Sequence, residues 1–589
     1  MKKVVLFFVS SLFISNVCSQ YLEHGMKVLP DMYKFYIING DMELDTHSPS
    51  KKGWYYSQAG VVATPTGYVA SYRKSDFHQA NTTDIMIAYS MDGKTWSGHH
   101  SITHADVWNE QGTWVSPQLS KLNDGRLVVL SDFGQRNTGQ NWPMLTDWQK
   151  PGRGMSNYLL WSEDEGKIWT KPQKIDNVGG EPGYIAEMKN GTLIYTRTFS
   201  DKTDQLWNPP QPWGNIYYKN ESVRSMDGGK TWEKPVILTD NPFHGDCEVG
   251  VVEYAPDQLL AITRIGHNNG GYLQPSRFVY SNDGGKSWLT PILAPIYGQR
   301  PIVHQLLSGK LLVVFRNSWG TPGTFALLFD SDEKFEYQPA TFIFDESRCR
   351  LNSNIMTINT GESIMEQVAF GFFPAFSPES KVVVEASLKV EESDIHGCNI
   401  SAGCWIRFIP GRVCLADLPE TGFDLNTTDW HDYRIERSNG KIIIYVDGKM
   451  KLKAPVTGVE NKLVQIGNRM VKGFNFTNIG NNDLSGANTK SITHWRKLHI
   501  SVNNINGDNI DWHWDSSKGY PDQFRRDRIV ALDIIAAPAG HCGYSGFTQH
   551  TDGTIVIADY TVGGNGGVPA SMSFIRSYVV NEGILTVKR

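Results

Sequence analysis

SEDEGKIW, Ser162–Trp169, sets a serine, an acid, a glycine and a tryptophan at fixed offsets, and close relatives of it return three more times. They are SMDGKTW at Ser90–Trp96, SMDGGKTW at Ser225–Trp232 and SNDGGKSW at Ser281–Trp288. Three of the four fit S-x-D-x-G-x-x-W without a gap, and the first is one residue short. An aspartate at that offset accepts backbone N–H bonds inside a turn, and the glycine supplies positive φ. The tryptophan then folds back as an apolar plug. Each copy follows an apolar stretch such as NYLLW or RFVY, so the motif closes a β-hairpin and belongs on a rim.

Working outward, a second unit of apolar strand, turn and apolar strand occurs six times. Its copies are GVVATPTGYVASYRK, VSPQLSKLNDGRLVVLSD, GYIAEMKNGTLIYTRT, CEVGVVEYAPDQLLAITR, PIVHQLLSGKLLVVFRN and YSGFTQHTDGTIVIADYT. Six repeats of four short strands bury their faces most economically as sheets arranged radially around a channel. The expected fold is therefore all-β, a six-bladed β-propeller. The octapeptides resemble the Asp-boxes of the sialidase superfamily, over about residues 50–335 and 540–589. Asp-boxes also occur in lyases and in propellers without enzymatic activity, so they speak for fold more than for chemistry.

The spacing breaks between the fifth and sixth units, where a long segment separates Phe335 from Tyr544. Within it DWHDYRIERSNGKIIIYVDGK, Asp429–Lys449, reads as strand, tight turn and strand. That stretch and THWRKLHI, Thr493–Ile500, resemble laminin-G and concanavalin-like sheets. The expected division is a signal peptide at 1–19, propeller blades at 20–340, an inserted jelly-roll β-sandwich at 341–510, and a return segment with the closing blade at 511–589. The insertion reads either as a carbohydrate-binding module or as a spacer. DWHWDSSKGYPDQFRRDR, Asp511–Arg528, reads either as a border of the propeller mouth or as an exposed charged connection.

MKKVVLFFVSSLFISNVCSQ has the charged, apolar and small-residue order of a secretory signal, with cleavage after Ser19. A secreted or periplasmic protein is expected, with lipid anchoring on Cys18 as the lesser alternative because Val17 stands where a small residue is wanted. No other apolar run is long enough to cross a bilayer. A formal charge of −5 offers nothing to hold a phosphate backbone, which excludes nucleic acid as a partner. Six cysteines remain after Cys18, and they read as buried thiols or as one or two disulfides among Cys398, Cys404 and Cys414. With no GxGxxG, P-loop or HExxH, no cofactor and no metal are expected. The chain is read as a monomer whose partner is a carbohydrate.

Propellers bind ligands at the funnel end of the channel, where first strands begin. Glu248 in CEVG begins the fourth unit's first strand, Arg264 ends its second, and Tyr544 in GYSG begins the sixth unit. A tyrosine with a pKa near 10 is a weak nucleophile unless a carboxylate takes its proton. The sialidase resemblance implies Glu248 as base, Tyr544 as nucleophile and Arg264 as a clamp on a substrate carboxylate, the known exception to two-carboxylate glycosidases. The resemblance fails where true sialidases begin with Tyr-Arg-Ile-Pro, because YSQAG puts Ser57 at the arginine. The arginine expected in GTFALLFDSDEKFE is also missing. Arg73, Arg300 and Arg316 are the substitutes for engaging a carboxylate or sulfate. The acid is either Asp76 or His78 in SYRKSDFHQAN.

Of the other candidates, His244, His267, His304 and His541 read as hydrogen-bonded loop or core groups. Trp114, Trp142 and Trp213 read as packing residues or as platforms for sugar rings. The leading functional reading is an exo-glycoside hydrolase of sialidase type acting on terminal acidic or acid-linked sugars. One alternative is a polysaccharide lyase or dehydratase eliminating at uronic acids with His78 and Tyr544. Another is a glycan-binding protein without catalysis.

Overall fold

The structure, a computed structural model, describes residues 27–28, 35–40, 54–137, 154–199, 219–241, 246–264, 275–317, 323–343, 345–361, 363, 366–373, 379–456, 461–468, 489–504, 508–533, 542–562 and 573–586. The expected signal peptide with Cys18, and His244, His267, His541, Trp142 and Trp213, lie outside the described residues.

Strands buried on both faces along most of their length pair into six sheets, the blades, antiparallel except where Lys27–Val28 joins the edge of blade 5. Their innermost strands are Tyr55–Thr64, Gln118–Lys121, Ala186–Glu187, Cys247–Ala255, Gly298–Gln305 and Cys542–Gln549. In blade 2 a separate strand, Gly112–Trp114, pairs with the same neighbour as Gln118–Lys121. The fold is thus the expected six-bladed propeller with an inserted β-sandwich.

The octapeptides join the third and fourth strands of blades 1 to 4. In SEDEGKIW the Ser162 hydroxyl donates to Asp164 Oδ1 at 2.8 Å and accepts from the Gly166 N–H at 2.9 Å. Asp164 also accepts from the Ile168 N–H at 2.9 Å. The same pattern recurs at Asp227 and Asp283. The motif does more than close a hairpin, because each box packs on the preceding blade. A Cβ on Gly93 would come within 2.7 Å of Val556 in blade 6, one on Gly229 within 2.7 Å of Trp161 in blade 2, and one on Gly285 within 3.0 Å of Ile194 in blade 3. The tryptophans are linkers as well as plugs: Trp96 Nε1 donates to Ser577 Oγ at 3.1 Å and Trp288 Nε1 to Ser222 Oγ at 2.9 Å, each in the preceding blade.

The insertion leaves the propeller at a different point from the one the repeats suggest. It departs after the third strand of blade 5, Gly323–Phe329, and that blade is completed only by Ile529–Asp533 on the chain's return. Without that strand the edge Gly323–Phe329 would present unpaired backbone groups. Blade 6 is closed by Tyr36–Gly40 from the N-terminal side, paired with Ser573–Val580. Lys27–Val28, before it, pairs in parallel with Ile529–Asp533 at the edge of blade 5.

The sandwich consists of a seven-stranded and an eight-stranded sheet around one core that includes Phe370, Phe372, Phe408, Ile435, Ile444 and Trp495. Its outer strand Ile510–Asp515 pairs with Ser491–Asn503, so the sandwich reaches into residues 511–515, which the repeat spacing gave to the return segment. The rest of that segment is exposed at Ser517 and Lys518 and buried from Pro521 to Asp522. Asp522 and Arg526 are buried with Glu346, with Arg526 Nη2 2.7 Å from Glu346 Oε2 and Arg525 Nη2 2.6 Å from Asp522 Oδ2. Buried charges persist only when so paired, and this group braces the return helix Gln523–Arg528 against the start of the sandwich. A second tie is Arg277 of blade 4, 2.6 Å from Asp246 and 3.1 Å from Asp508. The six cysteines are buried free thiols, so no disulfide joins Cys398, Cys404 and Cys414.

Candidate active site

Five blades repeat one backbone device at the start of the inner strand. Gln58, Glu181, Glu248, Arg300 and Tyr544 all have φ between 45° and 58°, the left-handed region that non-glycine residues avoid. In four blades the pairing with the second strand skips across this residue, between Ser57 and Gly60, Cys247 and Gly250, Gln299 and Ile302, and Gly543 and Gly546. In blade 3 the Gly180↔Thr198 bridge and the bond from the Gly183 N–H to the Thr196 carbonyl bracket Glu181 in the same way. These are β-bulges, which re-aim one side chain out of the pleat. The corresponding sequence is QAG, EPG, EVG, RPI and YSG.

Blade 5 has Ile302 two places on, but in three other blades the glycine there is sterically required. A Cβ on Gly183 would lie 2.4 Å from the Val249 carbonyl oxygen, one on Gly250 2.5 Å from that of Pro301, and one on Gly546 2.7 Å from Gly60 Cα. Adjacent inner strands thus touch at the level of the bulges, and the bulged side chains are brought together. Left-handed backbone at non-glycine residues costs of order 1–3 kcal/mol apiece and gathers where function needs a fixed geometry.

Three of the five bulge residues meet. The Tyr544 hydroxyl donates to Glu248 Oε1 at 2.7 Å, and Arg264 Nη1 lies 2.9 Å from the same hydroxyl and 2.7 Å from Glu248 Oε2. Arg300 Nη1 approaches Glu248 Oε1 at 3.5 Å, while its Nη2 holds the Pro182 carbonyl at 2.8 Å. The guanidiniums of Arg300 and Arg316 stand 5.5 and 4.7 Å from the centre of the Tyr544 ring. Glu248 is 3% exposed, and the Tyr544 phenol is packed against it between Arg264 and Arg316.

Electrostatics follow from this packing. Burial would raise the Glu248 carboxyl, but the Arg264 and Arg300 guanidiniums and the Tyr544 hydroxyl outweigh it and hold it well below the usual carboxylate range. Burial, together with the Glu248 charge, pushes the Tyr544 phenol well up despite Arg264 and Arg316. Glu181 lies in the same field: burial and the Glu248 charge raise it to about 7. Its backbone N–H is held by buried Asp132 at 2.9 Å, and its Oε2 has no hydrogen-bond partner among the described residues. Arg264, Arg300 and Arg316 together favour an anion beside Glu248 and Tyr544.

The remaining expected site residues are placed elsewhere. Arg73 is fully buried and spends its guanidinium on the carbonyls of Val115 at 3.2 Å and His78 at 2.7 Å. It braces the loop after the second strand instead of presenting charge to a ligand. Asp76 caps that loop, accepting from the N–H groups of Asn81 at 2.8 Å and Thr82 at 3.3 Å. His78 follows an aromatic chain from Tyr544 to Tyr560 at 6.3 Å, Tyr560 to Tyr55 at 6.3 Å and Tyr55 to His78 at 5.5 Å. Two rings therefore stand between His78 and Tyr544 along this line. Arg316 lies opposite Gln299 on the second strand of blade 5, as Arg264 lies opposite Cys247 in blade 4, and it donates to the Cys542 carbonyl at 3.4 Å. His304 is packed between Tyr184 and Phe547, and burial lowers it to about 4. Trp114 is a core residue against Phe133 and Tyr158.

The sequence pattern of the BNR repeat-like domain family matches residues 68–324, from the second strand of blade 1 to the third strand of blade 5. A sialidase of Clostridium perfringens is 26% identical over 243 residues, covering 38% of this chain. The propeller has the sialidase-superfamily fold. The chain spans 56% of the length of that curated relative. Among solved structures, a Dyadobacter fermentans protein of unknown function superposes with a TM-score of 0.41 at 17% identity, covering 60% of this chain and 96% of that one. The Hadza microbial sialidase Hz136 gives 0.37 at 18% identity, covering 54% and 62%, and a Trypanosoma rangeli sialidase 0.35 at 12% identity, covering 80% and 94%.

Glu181 and Gln58, both at bulges, and Asp132, which holds the Glu181 N–H, are residues that the sequence reading did not single out. The signal for the first two was the recurrence of a polar residue two places before the glycine, in QAG, EPG, EVG and YSG. Asp132 carries no such mark.

Proposed function

We propose that the protein is a sialidase-like glycoside hydrolase that releases a terminal acidic sugar, a sialic or uronic acid, from a glycan or polysaccharide outside the cytoplasm. The observation that carries this reading is the 2.7 Å hydrogen bond from Tyr544 to Glu248, with Arg264 and Arg300 on the same carboxylate.

In the first step the Tyr544 oxygen attacks the anomeric carbon and its proton passes to Glu248. The bond to the leaving oxygen breaks, and that oxygen takes a proton from an acid. Water then attacks the anomeric carbon and gives a proton to the deprotonated acid, while the bond to the Tyr544 oxygen breaks and the phenolate takes its proton back from Glu248. At rest this transfer runs uphill, since Glu248 is a weak base beside a weakly acidic phenol. A substrate carboxylate that draws Arg264 and Arg300 toward itself would strengthen Glu248 as a base. Recognition of the acid would thereby arm the nucleophile, and neutral sugars would leave it idle. Glu181, whose carboxyl burial and the Glu248 charge raise to about 7, is the group in this cluster suited to supply the acid.

The elimination reading pairs Tyr544 with His78, whereas the Tyr544 hydroxyl is engaged with Glu248 and Arg264. A panel of acidic glycans, followed for both saturated sugar release and ultraviolet absorbance from unsaturated products, tests the proposal. Release of a saturated acidic monosaccharide supports it, and unsaturated products or no turnover on any acidic glycan refute it.

A further inference from the structure

The solvent face of the eight-stranded sandwich sheet carries an ordered row of polar side chains. Leu498, Ile500, Trp512 and Trp514 point into the core, so alternation sends His499, Asp511 and His513 outward. Register aligns Arg434 with Glu385, Glu385 with His499 and His499 with His513 across four neighbouring strands. Asp511 stands two residues before His513 on the same face. His499 Nε2 is 2.8 Å from Asp511 Oδ1, His513 Nε2 is 3.5 Å from the same oxygen, and the two imidazoles stack at 4.0 Å.

We propose that His499, Asp511 and His513 form a binding site for a divalent transition metal, zinc being the best fit. Their ligand atoms lie within 4.8 Å of one another. Tetrahedral zinc with bonds of about 2.0–2.1 Å separates its ligand atoms by about 3.3 Å, near the 2.8 and 3.5 Å that each imidazole keeps from Asp511, and the exposed His513 ring would turn out of its stack on His499 to aim its Nε2 lone pair at the ion. Two imidazoles and one carboxylate are borderline ligands that favour zinc over calcium or magnesium. The outer layer is already in place. Arg434 fixes Glu385, and Glu385 Oε2 holds His499 Nδ1 at 2.7 Å, which leaves Nε2 to face the metal. The fourth position faces solvent, since the side chains of Asp511 and His513 are 73% and 65% exposed. The bound ion would staple the last sandwich strand, Ile510–Asp515, to its neighbour just before the chain returns to blade 5. The competing account of the same geometry is an imidazolium of His499 shared by Glu385 and Asp511 with no metal.

Calorimetric titration of the tag-free, full-length protein with zinc chloride at neutral pH separates the two. The proposal expects one ion per chain, weakening of at least tenfold in His513→Ala and Asp511→Ala, and a loss of about 10–100-fold in Glu385→Gln. His513 is exposed, so its variant should melt like the wild type without zinc and lose the zinc-dependent rise in Tm. Absence of zinc binding up to millimolar metal, equal affinity for calcium, or unchanged binding in His513→Ala would overturn it.

Discussion

Tyr544 donates its hydroxyl hydrogen to Glu248 across 2.7 Å although the two residues are 296 positions apart in the chain. Two β-bulges in different blades bring them together, with φ of 51° and 45°, and Arg264 touches both. The pair is thus a product of propeller closure and depends on how closely neighbouring inner strands approach.

Removing either member should abolish turnover while sparing the fold. Tyr544→Phe and Glu248→Gln are expected to lower kcat by about 10²-fold or more, since each removes a group that changes bonding in the transition state. Steady-state kinetics with circular dichroism on the same samples checks this; unchanged kcat in either variant contradicts it.

The charge state of Glu248 depends on its arginines. Replacing Arg264 by Lys loses the fork that reaches both Glu248 and Tyr544, so the Glu248 carboxyl rises toward its ordinary range. The acid limb of the kcat/KM profile, where Glu248 becomes protonated, should then move to higher pH than in the wild type. An unmoved limb would separate Arg264 from the state of the base.

Glu181 links activity and stability to pH. Its folded-state carboxyl, raised to about 7, stays protonated between the ordinary carboxylate range and neutrality, where the unfolded chain has already lost that proton. Its contribution to stability therefore falls as pH rises from about 4.5 to about 7. His304, held neutral down to about 4, contributes the opposite slope over part of that window. The informative quantity is the difference between wild type and Glu181→Gln. The variant should gain stability relative to wild type from pH 5 to pH 7 in denaturant titrations, and it should lose the alkaline limb of activity. A constant difference would show that Glu181 ionises normally.

The approach of blades 4 and 5 rests on Gly250, whose added Cβ would lie 2.5 Å from the Pro301 carbonyl oxygen. Gly250→Ala should destabilise the protein by about 1–3 kcal/mol, the usual cost of overpacking. Because Glu248 and Arg300 flank that contact, activity should fall by more than the loss of folded protein explains. Thermal melts and kinetics at a temperature where the variant is fully folded test this.

Much of this architecture is written locally. The boxes at Asp92, Asp164, Asp227 and Asp283 announce their hairpins because one serine, one carboxylate and one glycine complete a turn by themselves. Glu248 and Tyr544 were visible because each opens a repeat. The exit point of the insertion was not, because IVALD at Ile529–Asp533 is a plain apolar strand whose partner lies two hundred residues earlier in Gly323–Phe329. Arg73 and Asp76 looked like ligand groups since burial and loop capping are settled by neighbours such as Val115 and Asn81 that local sequence does not reveal. Glu181 went unread because its strand, Ala186–Glu187, is short and the bulge precedes it.

The central claim is that the Tyr544 oxygen becomes bonded to the sugar. Incubation with a fluorinated, activated acidic glycoside, followed by proteolysis and peptide mass mapping, tests it most directly. The account predicts a glycosyl adduct on the peptide carrying Tyr544 and none in Tyr544→Phe. Turnover of that probe with Tyr544 unmodified and the adduct on another residue would contradict it.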